Sequence, residues 1–533
     1  MLYIPGEGPG RSSPTGYPGL YGHQRQMLLF SLENRYYGES LPAPLTDKMK
    51  IKKFLSVDAA LDDLRYFQTF VEGKLVGKKL RWLIVGGSYA GALSVWFKVK
   101  YPTAALAVWS SSGVVEPRFN FYAYDGHVKA EIPPDCTRSV TVVQSLFLDM
   151  WENASTRIEF LNRFGIPHYF DKAGISYMLA DAVAGAVQYG KKWQMCDMIV
   201  PQNKTDPLGQ FLKMIIRMYG LNFTSGCSFS TVCLSNASMS DQWASADYSW
   251  VYQTCRELAY FQVGYHKSLR LEDVNTEYFV DQCRSAFGAS VFPDVFEFNA
   301  KWGGKRPNAG NVVALQGSDD PWSELGVTKT LRTNYQAFVA ECEGCGHCGD
   351  LGLPGPEDPP SLTQQRIDLS RCLDIWMSGE PTPYHLLLHG NFTRLSLMHE
   401  EMLMKVIQSD LHDFFDHSAD VHSITIDIEN WTLSIRFVAY VNTLNNGELA
   451  AAVTSLQSGT SWLRNMKQVL ARLGSENEVI VLSFEQLIAP SDLEERESTF
   501  YIGVAMRIIV FISLIINLLV TVEYSCIWGL SIK

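Results

Sequence analysis

Apolar and polar positions fall into three regimes along the chain. In the first third, short continuous apolar runs alternate with stretches of helical spacing. Residues 1–10 read as a short strand and a Gly/Pro turn, and residues 26–32 as an apolar run stopping at Glu33. Leu61, Leu64, Phe67 and Phe70 share one side of a helix over 57–72. Residues 82–85 form a strand that ends at Gly86-Gly87-Ser88; residues 89–100 follow as a helix closed by Tyr101-Pro102, and 106–109 as a further strand. Continuous apolar strands alternating with helices predict a parallel sheet covered on both faces.

Between 117 and 304 strand-like runs thin out and helical patterns dominate, with Val143, Phe147, Met150 and Trp151 on one face. A helical insertion between strands is expected to form a cap over the C-terminal edge of the sheet. The sheet pattern resumes at 311–315 and 335–340, and 362–376 reads as a closing helix after a loop at 354–360. From 381 the pattern changes again: helical over 397–415, β-branched and alternating over 421–441, helical over 448–473, strand over 479–484. This predicts a small α/β module of unknown role. His399-Glu400-Glu401 lacks the second histidine four residues on that a zinc-protease helix requires. Residues 508–522 are apolar except for Ser513, Asn517 and Thr521, and lie between Arg507 and Glu523. They are the candidate membrane anchor, although a span needs about 20 residues. The expected division is 1–116 and 305–380 for two parts of one core, 117–304 for the insertion, 381–500 for the module and 501–533 for a transmembrane segment.

The 533 residues carry 45 Lys and Arg against 56 Asp and Glu, a net charge of −11, which argues against nucleic acid as a partner. With 47% hydrophobic and 19% charged residues the chain is globular. Of its 11 cysteines, all but Cys526 lie between Cys136 and Cys372, an even set as pairing in an oxidising compartment requires. Asn-x-Ser/Thr triplets begin at Asn153, Asn203, Asn222, Asn236, Asn391 and Asn430. Together these place the chain on the secretory route. Residues 1–10 have no basic or long apolar leader, so a leader and further strands are expected upstream of Met1.

A strand running through Gly86-Gly87-Ser88-Tyr89-Ala90-Gly91 into a helix is a nucleophile-elbow arrangement, with Ala90 in the place of the last glycine of G-x-S-x-G. A serine nucleophile needs a base and an acid to orient it, in the order Ser, acid, His in this fold. Asp319 and Asp320 follow the strand at 311–315, and His347 follows the next one. Cys342-x-x-Cys345-x-His347-Cys348 offers zinc-type ligands, but they are crowded and lack a second distant knuckle, so no metal and no cofactor are assigned.

Glu33-Asn34-Arg35-Tyr36-Tyr37-Gly38-Glu39-Ser40, the elbow, Gly317-Ser318-Asp319-Asp320-Pro321-Trp322 and Gly346-His347-Cys348-Gly349-Asp350-Leu351 resemble signatures of one family. Tyr252-Gln253-Thr254-Cys255-Arg256-Glu257 and Trp302-Gly303-Gly304 match it in order. It is the family of lysosomal prolyl carboxypeptidases and dipeptidyl peptidases, and the thymus-specific branch is the most similar. The resemblance covers about residues 1–378. It implies an α/β-hydrolase core with a helical cap, Ser88 as nucleophile, Asp320 as acid and His347 as base. It also implies the Tyr89 N–H as one oxyanion donor, with a second from the Arg35–Gly38 loop. The implied substrates are peptides cleaved by an exopeptidase near proline, and the implied location is the lysosome, the vacuole or the cell surface. Asn34 and Gln316 depart from the family's usual His and Asn. A lipase or esterase on the same fold, and an inactive surface glycoprotein, are the competing readings. Glu257 is open to two roles, facing a substrate amine or holding a structural salt bridge. A homodimer is compatible with the sequence but has no signature in it.

Overall fold

The computed structural model describes residues 1–378 apart from 11–12, 201–205 and 237–241, and five strands beyond them. The chain divides into two compact units, Met1–Leu373 and Asp374–Lys533.

The first unit is built on six strands: β1 (Leu2–Ile4), β2 (Phe30–Ser31), β3 (Leu83–Gly87), β4 (Ala107–Ser111), β5 (Val312–Gly317) and β6 (Tyr335–Ala340). All pairs are parallel and the order is β2-β1-β3-β4-β5-β6. Strands β4 and β5 are buried along their whole length and β3 up to Gly87, which explains their continuous apolar runs. Ile84, Val108 and Val312 share one core with Leu61 and Leu64 of helix Val57–Phe70 and with Trp96 and Phe97 of helix Tyr89–Lys100. The first of these helices starts where the Ser56 hydroxyl accepts the Ala59 N–H, a side-chain cap. Its stripe is narrower than the spacing suggests, since Phe67 is partly buried and Phe70 exposed. The run at 26–32 yields only the two residues of β2, and Leu28 in it is exposed.

Helices from Tyr122–Glu131 to Val295–Trp302 separate β4 from β5. Three disulfides tie this insertion: Cys136–Cys196, Cys227–Cys233 and Cys255–Cys283. A fourth, Cys342–Cys345, follows β6, while Cys348 and Cys372 are free. The ten-cysteine set therefore does not pair completely. Inside the insertion the buried Arg270 guanidinium lies 2.6 Å from Asp125 and 2.9 Å from Asp181, which joins helices Tyr122–Glu131 and Lys172–Gln188. A buried cation held by two carboxylates fixes geometry more than it adds stability.

In the second unit β7 (Pro381–His389), β8 (Ala419–Glu429), β9 (Thr432–Val441), β10 (Gly474–Gln486) and β11 (Ile509–Leu514) form an antiparallel sheet in the order β11-β10-β7-β9-β8. The strands expected within 421–441 and at 479–484 lie in β8, β9 and β10; the helices expected at 397–415 and 448–473 lie outside the described residues. The membrane helix expected from 508 onward is not found among the described residues. Residues Ile509–Leu514 are a strand, with Ile509 opposite Ile480 and Val510 opposite Val479. Among the described residues no helix is long and apolar enough to cross a membrane. A short apolar run rich in β-branched residues suits a strand as well as a helix, and here the partner strand decides it.

Candidate active site

The order of the parallel sheet reverses at β1, with β2 on one side and β3 on the other. Loops at the C-terminal ends of strands diverge at such a point and leave a crevice. Ser88 follows β3 there, Asp320 follows β5 and His347 follows β6.

Ser88 has φ 57° and ψ −126°, a conformation costly for a residue with a side chain. The turn is tight enough to dictate its neighbours. A Cβ on Gly86 would stand 2.2 Å from the Ala90 carbonyl oxygen, and one on Gly91 would stand 2.7 Å from the Ser111 carbonyl oxygen. Ala90 is itself buried with its methyl accommodated, so the elbow is kept with alanine at that position. The Ser88 N–H donates to Ser111 O at 2.9 Å and binds the turn to β4.

The two adjacent aspartates go to different partners. The Asp320 carboxylate lies 2.7 Å from His347 Nδ1 and also accepts the Trp322 N–H at 3.0 Å. Asp319 is held 3.1 Å from Lys192 Nζ and accepts the Gly344 N–H at 2.9 Å; Lys192 also reaches Glu131 at 2.6 Å. The His347 N–H donates to Gln188 O at 2.6 Å, which ties the β6 loop to the insertion. Burial disfavours the His347 imidazolium, but the Asp320 carboxylate and the hydrogen-bonded Cys348 outweigh it and hold the pKa well above the ordinary imidazole value. Cys342 and Cys345 are joined to each other, so the crowded cysteine cluster is a disulfide beside a histidine.

The family model described as serine carboxypeptidase S28 matches residues 1–369. The chain belongs to that family. It is similar to the probable serine protease EDA2 of Arabidopsis thaliana, 28% identical over 71% of this chain and 81% of that protein. The thymus-specific serine protease of Mus musculus is 28% identical over 71% of this chain and 80% of its own. The lysosomal Pro-X carboxypeptidase of Bos taurus is 24% identical over 68% and 77%. This S28 chain is a serine peptidase.

The structure links motifs that lie far apart in the sequence. Tyr37 donates to Gln253, and Gln253 donates to the Tyr89 hydroxyl at 2.8 Å, so the segments around 37, 89 and 253 form one buried chain of hydrogen bonds. Asn34 donates to Gly6 O at 2.9 Å and thereby fixes the loop after β1. That loop carries a residue that reading the sequence missed, Glu7. Burial pushes the Glu7 carboxyl pKa up, against its own N–H, the charge of His347, the Tyr89 N–H and the Ser88 hydroxyl. In the Arg35–Gly38 loop, from which a second donor was expected, the Tyr36 N–H donates to Ser40 O and the Tyr37 N–H to Asn34 O. Arg35 is clasped by Asp63. The available signal was a Gly-Glu-Gly-Pro turn directly after an apolar strand.

Above Ser88 lies a cavity of about 410 Å³, in the size range of small-ligand sites. Glu7 lines it together with Trp250, Tyr260 and Phe261 of the insertion and Trp322 after β5. Glu257 is not in its wall: its carboxyl accepts the Val57 N–H at 2.9 Å and lines a separate hollow. Of the glycosylation triplets, Asn153 and Asn222 are exposed, Asn153 also capping helix Ala154–Phe164, and Asn236 ends helix Thr231–Asn236. Asn203, Asn391 and Asn430 lie outside the described residues.

Proposed function

We propose that this chain is a serine exopeptidase in which Ser88, His347 and Asp320 act as nucleophile, base and orienting acid on an α/β-hydrolase core capped by the helical insertion. His347 takes the Ser88 proton as Oγ attacks the scissile carbonyl, and returns it to the departing amine as the C–N bond breaks. Water, deprotonated by His347, then hydrolyses the acyl-enzyme. The Asp320 carboxylate holds the imidazole tautomer and stabilises the imidazolium, in line with the raised pKa of His347. The Tyr89 N–H receives the developing oxyanion; such a donor is worth about 3–4 kcal/mol in the transition state.

The observation that carries this reading is the Asp320–His347 pair at 2.7 Å on the sheet edge that also carries Ser88 in its strained turn. The aromatic walls at Trp250, Tyr260 and Trp322 suit a proline ring or another small residue at the cleaved bond. Four disulfides and the exposed Asn153 and Asn222 fit a secreted or lysosomal protein. A fluorophosphonate probe tests the nucleophile: it should label the native chain at Ser88 and fail on Ser88→Ala. Labelling that persists in Ser88→Ala would remove the assignment.

A further inference from the structure

Strand β4 ends where the nucleophile turn and the histidine loop meet. The Ser111 carbonyl oxygen accepts the Ser88 N–H at 2.9 Å, and the Ser112 N–H donates to Leu315 O of β5 at 2.7 Å. Side chains of the same segment bind the loop after β6. The Ser112 hydroxyl accepts the Cys348 N–H at 2.9 Å. The Ser111 hydroxyl donates to one Asp350 carboxylate oxygen at 2.5 Å, and the Trp109 indole N–H donates to the other at 2.8 Å. Asp350 lies in the same loop as His347 and is not part of the triad. The two turns also touch: a Cβ on Gly87 would stand 2.8 Å from Leu351 Cδ1 and 3.0 Å from Cys348 Sγ.

Asp350, Ser111 and Trp109 are all buried. Taking a carboxylate out of water is costly, and burial pushes the Asp350 pKa up against the Ser111 and Trp109 donors and the Arg366 charge. Arg366 grips the same loop from helix Pro360–Ser378, donating to Gly349 O at 3.0 Å, Asp350 O at 3.1 Å and Gly352 O at 3.1 Å. An apolar side chain of similar size would serve stability about as well as a buried carboxylate. What it would not supply is direction. The Trp109 indole and the Ser111 hydroxyl have fixed places on β4, and each reaches one oxygen of Asp350.

Resting on the serine-peptidase reading, we infer that Asp350 is a positioning residue for His347: through the Ser111 hydroxyl it fastens the loop of the base to the same β4 residue whose carbonyl holds the nucleophile turn. The Asp320 bond at Nδ1 orients the imidazole ring within its loop. The Asp350 bonds fix where that loop stands relative to Ser88. Proton transfer needs both, because an error of about 1 Å in placement costs on the order of a hundredfold in rate.

The test uses the full chain and its Asp350→Ala, Ser111→Ala and double variants. It measures turnover of Ala-Pro-aminomethylcoumarin and of N-benzyloxycarbonyl-Pro-Phe, and the rate of fluorophosphonate labelling, all per folded chain as read by circular dichroism. Asp350→Ala should lower kcat and the labelling rate about a hundredfold, and Ser111→Ala about tenfold, with KM within about threefold of the native value. The double variant should be slower than Asp350→Ala by no more than about threefold, since both substitutions break the same bond. Losses that multiply, or a KM that rises as kcat falls, would mean a general packing role and overturn the inference, as would native labelling rates in both single variants. If Asp350→Ala does not fold, Ser111→Ala decides alone, because it leaves the Ser111 carbonyl on the Ser88 N–H. Slower labelling at unchanged KM then supports the inference, and a native rate overturns it. A native chain that takes no fluorophosphonate sinks the serine-peptidase reading, whereas a labelled native chain with unaffected variants sinks only this inference.

Discussion

The two described sheets of this chain are both made of apolar runs, yet the residues proposed for chemistry all lie on the first. In the parallel sheet β3, β4 and β5 are buried through most of their length, and their polar residues gather at one edge, in the loops after β1, β3, β5 and β6. In the antiparallel sheet each strand returns beside its neighbour, and residues such as Ser434, Arg436 and Thr432 alternate with Leu433, Ile435 and Phe437 along β9. Parallel pairing needs crossovers that bring all C-terminal strand ends to one side, whereas antiparallel pairing sends successive ends to opposite sides. Convergent loops are therefore available to the first sheet and not to the second.

The comparison breaks most sharply at Ser88. Ser88→Ala should lower kcat by about 10⁵–10⁶-fold with the fold intact, the scale set by other serine proteases. Circular dichroism and peptide turnover on the purified variant check this, and near-normal turnover would move the nucleophile elsewhere. Next comes the pair after β5. Asp320→Asn should cost about 10⁴-fold in kcat, because the amide favours the wrong imidazole tautomer. Asp319→Asn loosens the contact with Lys192 and should act chiefly on thermal stability. Equal losses of kcat at the two positions would reverse the assignment.

Much of this edge was legible in the sequence. Small residues were required around Ser88, and an acid and a histidine had to follow later strands. The choice of Asp320 over Asp319 rested on resemblance alone; the structure adds the reason, since Lys192 from the insertion takes Asp319. The place of Glu7 in the cavity beside Ser88 was not legible, because it depends on β1 and β3 lying side by side, which no local pattern encodes. The strand at 509–514 was not legible for a related reason. Its partner, β10, is nearly thirty residues upstream, and an isolated apolar run does not show whether a strand or lipid will cover it.

Smaller effects come from what supports the edge. Cys136–Cys196 closes a 60-residue loop in the insertion, and Cys136→Ser with Cys196→Ser should lower unfolding stability by about 2–5 kcal/mol, read by denaturant titration. A pH-dependent effect is expected at Glu257, whose carboxyl is pushed up to about 7 by burial. A raised carboxyl pKa means the folded state holds the proton more tightly than the unfolded one. Its contribution is therefore full below about 4.5, near the unfolded value, and is lost as pH rises through about 7. Glu257→Gln keeps an acceptor for the Val57 N–H without the charge. Its gain over the native chain should be about 1–3 kcal/mol larger at pH 8 than at pH 4. Melting curves of the native chain and the variant at both pH values check the sign, and a substitution with the same effect at the two would place that carboxyl in water.

The smallest effect is expected from removing the second sheet. The S28 match ends at 369, every residue assigned to the site precedes 351, and the first compact unit ends at Leu373. The cut must spare helix Pro360–Ser378, because Leu369, Leu373 and Trp376 are buried and the Gln365 side chain donates to Gln316 O of β5 at 2.8 Å. Arg366 donates to Asp350 O, in the loop that carries His347, at 3.1 Å. A chain ending at Ser378 should therefore keep the kcat/KM of the full chain for Ala-Pro-aminomethylcoumarin. An earlier cut, before Pro360, should lose it together with cooperative unfolding. If the chain ending at Ser378 folds but turns over poorly, the antiparallel sheet contributes to the site, and the contrast between a chemical sheet and a silent one fails.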